Sequence, residues 1–241
     1  MRKQSIYAAL AALALTAIPA TALFAEDPDG NTIVREMDKR MNFDECRMTL
    51  RIDDTKADGK KRSLKAAVEY LKDAGTRIEF LEPARDKGKK VLMSGSSMWM
   101  ASPAVSKPVR LSGKDAFMGT SFTNDDVMNL DKSDDYETVV ASADKDGWSV
   151  VMTAKATGLP YSRIEARIGR DFLPISMVYF ARSGKESKRV TFSEIKDFGG
   201  KRKPSVMTIV DLMKPGDASA VVFLEIREEP IDRARLNPNS L

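Results

Sequence analysis

Cys46-Arg47-Met48-Thr49-Leu50-Arg51-Ile52-Asp53 alternates apolar with polar side chains without a break. Successive side chains of a strand point to opposite faces, so this period of two marks a strand with one oily and one wetted side. Asp58-Gly59 then turns the chain, and the same grammar recurs to its end. Strand-like runs cover residues 64–71, 77–81, 90–93, 98–101, 108–111, 136–141, 148–153, 162–168, 175–181, 189–195, 206–213 and 220–227. Asp146-Gly147, Ser183-Gly184, Gly199-Gly200 and Pro215-Gly216-Asp217 supply turns between them. The pattern predicts a mainly β protein: one large antiparallel sheet of about eleven strands, ten to twelve, joined as a meander.

Helical signals are few. Asp29 is an N-cap candidate for a helix whose apolar positions Ile33, Val34, Met37 and Met41 recur at helical spacing. Thr123 followed three residues later by Asp126 fits a capping box, with Val127 and Leu130 as a short apolar face behind it. Residues 113–130 therefore read as an excursion from the sheet carrying a loop and a short helix. Asp232 to Leu236 is expected to form one more helical turn before Asn237-Pro238 stops it.

The start of the chain reads as a secretory leader. Arg2 and Lys3 precede an apolar run from Ile6 to Ile18, and small residues offer cleavage after Ala22 or after Ala25. That run is shorter than the roughly 20 residues a bilayer span needs. The expected organisation is a signal peptide over residues 1–25 and a single domain over residues 26–241, exported to the periplasm. The formal net charge of +4 falls by two when Arg2 and Lys3 leave, and the other basic residues are interspersed with acidic ones. That is a solvated surface and not a nucleic-acid footprint. Short basic clusters at 87–90 and 201–203 fit lysine-protected hairpin edges, or contacts to an anionic membrane or acidic partner.

Cys46 is the only cysteine, so no intramolecular disulfide can staple the fold. Histidine is absent, which removes Ser-His-Asp and Cys-His nucleophile pairs and leaves any zinc site almost nothing but carboxylates. A binding protein with no cofactor is expected rather than an enzyme.

Ile164, Ala166 and Ile168 alternate with Arg163, Glu165 and Arg167, so that strand has one wet face. Residues 175–180 and 206–213 are apolar on both faces and are expected to be covered twice. A single sheet of some eleven strands curls under its own twist, and its concave face needs filling. Two or three short helices provide little apolar surface, so the pattern admits either a partly empty, ligand-taking cavity or a packed core. Thirteen methionines occur, many of them clustered at Met93, Met98, Met100, Met118, Met128, Met152, Met177, Met207 and Met213. An unbranched, polarisable side chain can re-pack around acyl chains of different shapes, although it also fills gaps in ordinary cores.

Between Phe80 and Val127 the residues become distinctive. Phe80-Leu81-Glu82-Pro83, Lys87-Gly88-Lys89 with Val91-Leu92, Met98-Trp99-Met100-Ala101-Ser102-Pro103, and Phe117-Met118-Gly119-Thr120-Ser121-Phe122 with Asp125-Asp126 follow one another in order. This stretch resembles the periplasmic outer-membrane lipoprotein-sorting family, the LolA-like proteins. The resemblance implies an incomplete antiparallel β-barrel closed by helices, which carries lipoprotein acyl chains or phospholipid across the periplasm. By position it puts Met98, Trp99 and Met100 on a strand by the cavity, and Phe117, Met118 and Phe122 in a lid-like excursion. With Ile33, Met37 and Met41 of the first helix and Met177, Tyr179 and Met207 of later strands, these form the expected ligand-binding set. The resemblance also implies a monomer served by an inner-membrane transporter as donor and an outer-membrane acceptor.

Two other classes compete. The same half-barrel type serves periplasmic regulators that sense misplaced lipoproteins, although such regulators usually carry a second domain. Asp125-Asp126 and Asp134-Asp135 could pair as general acid and base in carbohydrate hydrolysis, or hold calcium. A capping box and a polar turn explain them more simply, and the spacing is not that of an EF-hand loop.

Overall fold

The computed structural model describes residues 27–128 and 131–241. The expected leader and Leu130 lie outside the described residues. One helix, α1 (Gly30–Met41), precedes six strands: β1 (Glu45–Thr55), β2 (Lys61–Leu71), β3 (Gly75–Glu82), β4 (Lys90–Ser94), β5 (Ser97–Ala101) and β6 (Val109–Leu111). The excursion follows, with a 3-10 turn at Phe117–Gly119 and the short helix α2 (Asn124–Met128). Seven strands complete the sheet: β7 (Tyr136–Asp144), β8 (Gly147–Ala154), β9 (Arg163–Gly169), β10 (Pro174–Phe180), β11 (Glu186–Phe198), β12 (Lys201–Asp211) and β13 (Ala218–Arg227).

All these strands belong to one 13-stranded antiparallel sheet in the order β6-β5-β4-β3-β2-β1-β13-β12-β11-β10-β9-β8-β7. Every expected strand-like run is a strand, and the expected total of about eleven is too low. The short β5 and β6, both read from the sequence, pair with Met98 opposite Leu111 and Met100 opposite Val109. The meander starts in the middle of the sheet, where β1 pairs with β13 from Arg47–Arg227 to Thr55–Ala218. It runs out to the edge β6, crosses to the opposite edge β7 through residues 112–135, and returns strand by strand. The excursion therefore spans the gap that keeps the sheet an open half-barrel.

The concave side holds one apolar cluster reaching from Ile33, Val34 and Met37 of α1 across Leu64, Phe80, Met98, Met152, Ile164, Met177 and Ile209. α1 begins where expected: the Asp29 carboxylate accepts the Thr32 backbone N–H at 3.0 Å. Gly30 lets the helix close on β7, since a Cβ there would lie 2.5 Å from the Thr138 carbonyl oxygen. After β13 the chain crosses the convex side. Asp232 caps a 3-10 turn over Arg233–Leu236, and Ile231 and Leu236 bury Leu92 together with Trp99 and Leu241.

Double cover thus falls on β4 and β5, not on β10 and β12 as expected. Ile175 and Val210 are exposed, as is Met213 in the loop beyond β12. An apolar side chain on a surface costs little singly, so a two-faced apolar run does not by itself imply a second layer.

Candidate functional site

The excursion and α1 together close the concave face, and polar ties hold both covers in place. In the excursion Phe117 packs into the sheet with its ring centroid 6.2 Å from that of Phe80. Ser121 N–H donates to Ser219 Oγ at 2.8 Å, and Ser219 donates on to the buried Asp54 carboxylate at 2.7 Å. An Arg62 guanidinium donates to the Met118 carbonyl. The capping box forms as read: Thr123 N–H donates to Asp126 Oδ2 at 2.6 Å, and Asp126 N–H donates to Thr123 Oγ1 at 3.3 Å.

Asp126 does more than cap. Its carboxylate accepts from Tyr161 Oη at 2.6 Å and pairs with the buried ammonium of Lys188. Lys188 lies on the concave side because it is in phase with Val190 and Phe192 on β11. The Tyr161 and Tyr179 rings meet at 4.8 Å, and Tyr136 Oη donates to the Tyr161 carbonyl at 3.2 Å. Burial raises all three phenols, Tyr136 to about 12. The Asp126 charge beside Tyr161 raises that phenol further. Burial also raises the Asp125 carboxyl and lowers the Lys132 ammonium. These groups line a cavity of about 40 Å³ with Phe122, Ile164, Val190 and Met207.

α1 is tied along its length. Asn31 Oδ1 accepts the Thr138 N–H at 2.8 Å, satisfying an edge donor of β7. The buried Asp38 carboxylate accepts from the Lys132 and Ser133 backbone N–H groups at 2.9 and 2.7 Å, joining the helix to the excursion. At the C-terminal end Lys203 donates to the Met41 carbonyl and Lys201 to the Asn42 carbonyl, where a helix presents unpaired acceptors. Burial drives the Lys203 ammonium down to about 8 and the neighbouring Cys46 thiol up to about 11. The basic cluster at 201–203 is thus a helix clamp, a role its sequence did not suggest.

Ile33, Met37, Met41, Met98, Met100, Phe117, Met118, Phe122, Met177, Tyr179 and Met207 all belong to the concave cluster or pack against it. Trp99 does not. Between Met98 and Met100 it faces the other way by strand alternation and packs under the C-terminal segment, which corrects its expected place by the cavity. The expected hydrophobic cavity is filled at Met98, Met152, Phe117 and Met177, which are all buried in the concave cluster, and the cavity of about 40 Å³ at the Tyr161 cluster is too small for an acyl chain. Of the polar cluster, Lys188, Tyr161 and Tyr136 escaped sequence reasoning. The available signal was Lys188 standing in phase with apolar neighbours.

A family model described as uncharacterized protein-like matches residues 72–241, more than half of the chain. The chain belongs to this family. No curated protein matches it. Among solved structures, a LolA superfamily protein from Nitrosomonas europaea superposes with a TM-score of 0.78 at 18% identity, covering 89% of this chain and 100% of that one. A DUF1329 family protein from Desulfovibrio piger gives 0.77 at 21% identity, covering 88% and 97%. A domain named as an outer membrane lipoprotein-sorting protein, from Vibrio parahaemolyticus, gives 0.74 at 18% identity, covering 87% and 97%. The family's fold in this chain is therefore the LolA-type half-barrel, and identities this low bear on fold alone.

Proposed function

We propose that this protein is a periplasmic carrier that takes the acyl chains of lipoproteins or phospholipids onto its concave face. One observation carries the reading: the methionine-rich concave cluster is closed by two covers, α1 and the excursion, and not by further sheet. In the closed state the protein's own side chains fill the hollow. Loading then requires the excursion to lift, which breaks the Asp126–Lys188–Tyr161 cluster and the Ser121–Ser219 bond, while Met98, Met100, Met177 and Met207 re-pack around the ligand. Burying a chain of about 14 to 18 carbons at roughly 0.8 kcal/mol per CH₂ gains on the order of 10 kcal/mol, enough to offset such an opening.

In this reading residues 1–25 are the cleaved leader and residues 26–241 the carrier domain. It works as a monomer between an inner-membrane donor and an outer-membrane acceptor and performs no covalent chemistry. Mass spectrometry of an organic extract of the purified protein tests the reading directly. Met98→Asp and Phe122→Asp are expected to lose bound lipid. Because either could unfold the core, a second variant joins the excursion to the sheet through Ser121→Cys with Ser219→Cys. The oxidised form should load no lipid and the reduced form should recover loading; equal loading in both forms refutes the reading.

A further inference from the structure

The hairpin loops fall at one of two rims of the half-barrel, residues 112–135 run between the rims, and the two sets of hairpin loops differ in charge. The rim with the β1–β2, β3–β4, β5–β6, β8–β9, β10–β11 and β12–β13 loops holds acids only at Asp58, Asp86 and Asp217 within those loops. Each is already engaged there: Asp58 by Lys60 at 2.6 Å, Asp86 by Lys89 at 2.7 Å and Arg85 at 3.3 Å, and Asp217 by Lys56 at 3.4 Å. Lys87, Lys107, Lys185 and Lys214 on the same loops are exposed and make no ion pair among the described residues. The opposite rim is nearly balanced, with Asp44, Asp73, Asp146 and Asp171 against Lys72, Lys145 and Arg170 in its loops.

Apolar tips accompany the basic rim. Val105 (50% exposed) lies two residues from Lys107, Val109 (52%) opens β6, and Met213 (59%) adjoins Lys214. Exposed lysines around protruding apolar side chains fit an anionic bilayer: the ammonium groups meet lipid phosphates while the tips enter the headgroup layer. We infer that the basic rim docks on an anionic phospholipid surface, with the β5–β6 and β12–β13 loops as its contact points. The inference does not rest on the carrier reading. Docking concerns the rim and loading concerns the concave face, so vesicle binding and lipid retention fail separately.

Co-sedimentation of the exported protein with vesicles tests it, comparing phosphatidylcholine alone with phosphatidylcholine containing phosphatidylglycerol. Binding is expected only with phosphatidylglycerol and should weaken as salt is raised. The combined variant Lys87→Glu, Lys107→Glu and Lys214→Glu should bind at least about 100-fold more weakly, at about five-fold for each lysine removed from the surface. Lys72→Glu with Lys145→Glu and Arg202→Glu makes the same change in net charge at the opposite rim and should bind nearly as the parent does. Val105→Ser with Met213→Ser should lower the binding that survives at high salt. No binding to either vesicle, equal binding to both, or equal loss in the two triple variants would overturn the assignment.

Discussion

The two faces of the sheet bury charge in different ways. On the convex face Glu69 collects three arginines, Arg77 at 3.3 Å, Arg47 at 3.0 Å and Arg235 at 3.0 Å, and Arg235 brings the C-terminal segment with it. Arg47 and Arg235 remain half-exposed, so losing one contact leaves the others and lets water in. On the concave face Asp126 holds Lys188, Tyr161 and the Thr123 N–H where water has little access. Redundant ties suit a permanent strap. A compact cluster around one carboxylate suits a cover that opens as a unit or stays shut.

Breaking the concave cluster should have the largest effect. Asp126→Ala leaves the Lys188 ammonium buried without its partner and should lower unfolding free energy by about 3–5 kcal/mol, read from urea midpoints. Asp126→Asn with Lys188→Met should recover much of that loss. If Asp126→Ala costs no more than an exposed ion pair, the cluster does not hold the cover. Trp99→Ala removes packing under the C-terminal strap and should cost about 2 kcal/mol. It should speed proteolysis after Arg227 while leaving lipid retention unchanged, and loss of retention would return Trp99 to the ligand-binding set.

Glu69→Gln should cost about 1–2 kcal/mol, less than Asp126→Ala, because two of its arginines turn to water. A larger cost than for Asp126→Ala would reverse the ranking of the faces. The effect of the α1 clamp shows as a pH dependence. Lys203 is held at about 8 against an ordinary 10.5, so above pH 8 the native state sheds a proton that the unfolded chain keeps. Its contribution to stability therefore rises with pH between about 8 and 10.5. Cys46, raised from 9.0 to about 11, opposes this between those values, because there the native state keeps the proton. Comparing wild type with Lys203→Met across this window isolates the lysine, whose relative stability should climb with pH; a flat difference would show an ammonium that is not desolvated.

The sequence by itself determined the strands, the N-cap at Asp29, the capping box at Thr123 and Asp126, and the final helical turn. Each follows from neighbours within a few residues, since period-two alternation and cap chemistry act through local backbone geometry. The resemblance over residues 80–127 added the half-barrel type. Only the tertiary structure decided that β1 pairs with β13, that Trp99 lies beneath the C-terminal segment, that Lys201 and Lys203 clamp α1, and that Asp126 meets Lys188 and Tyr161. Those partners stand dozens of residues apart, and a side chain's sequence does not encode what the curl of the sheet brings opposite it. Whether the hollow stands open or filled was likewise a matter of packing, because a methionine-rich face satisfies either outcome until its neighbours are placed.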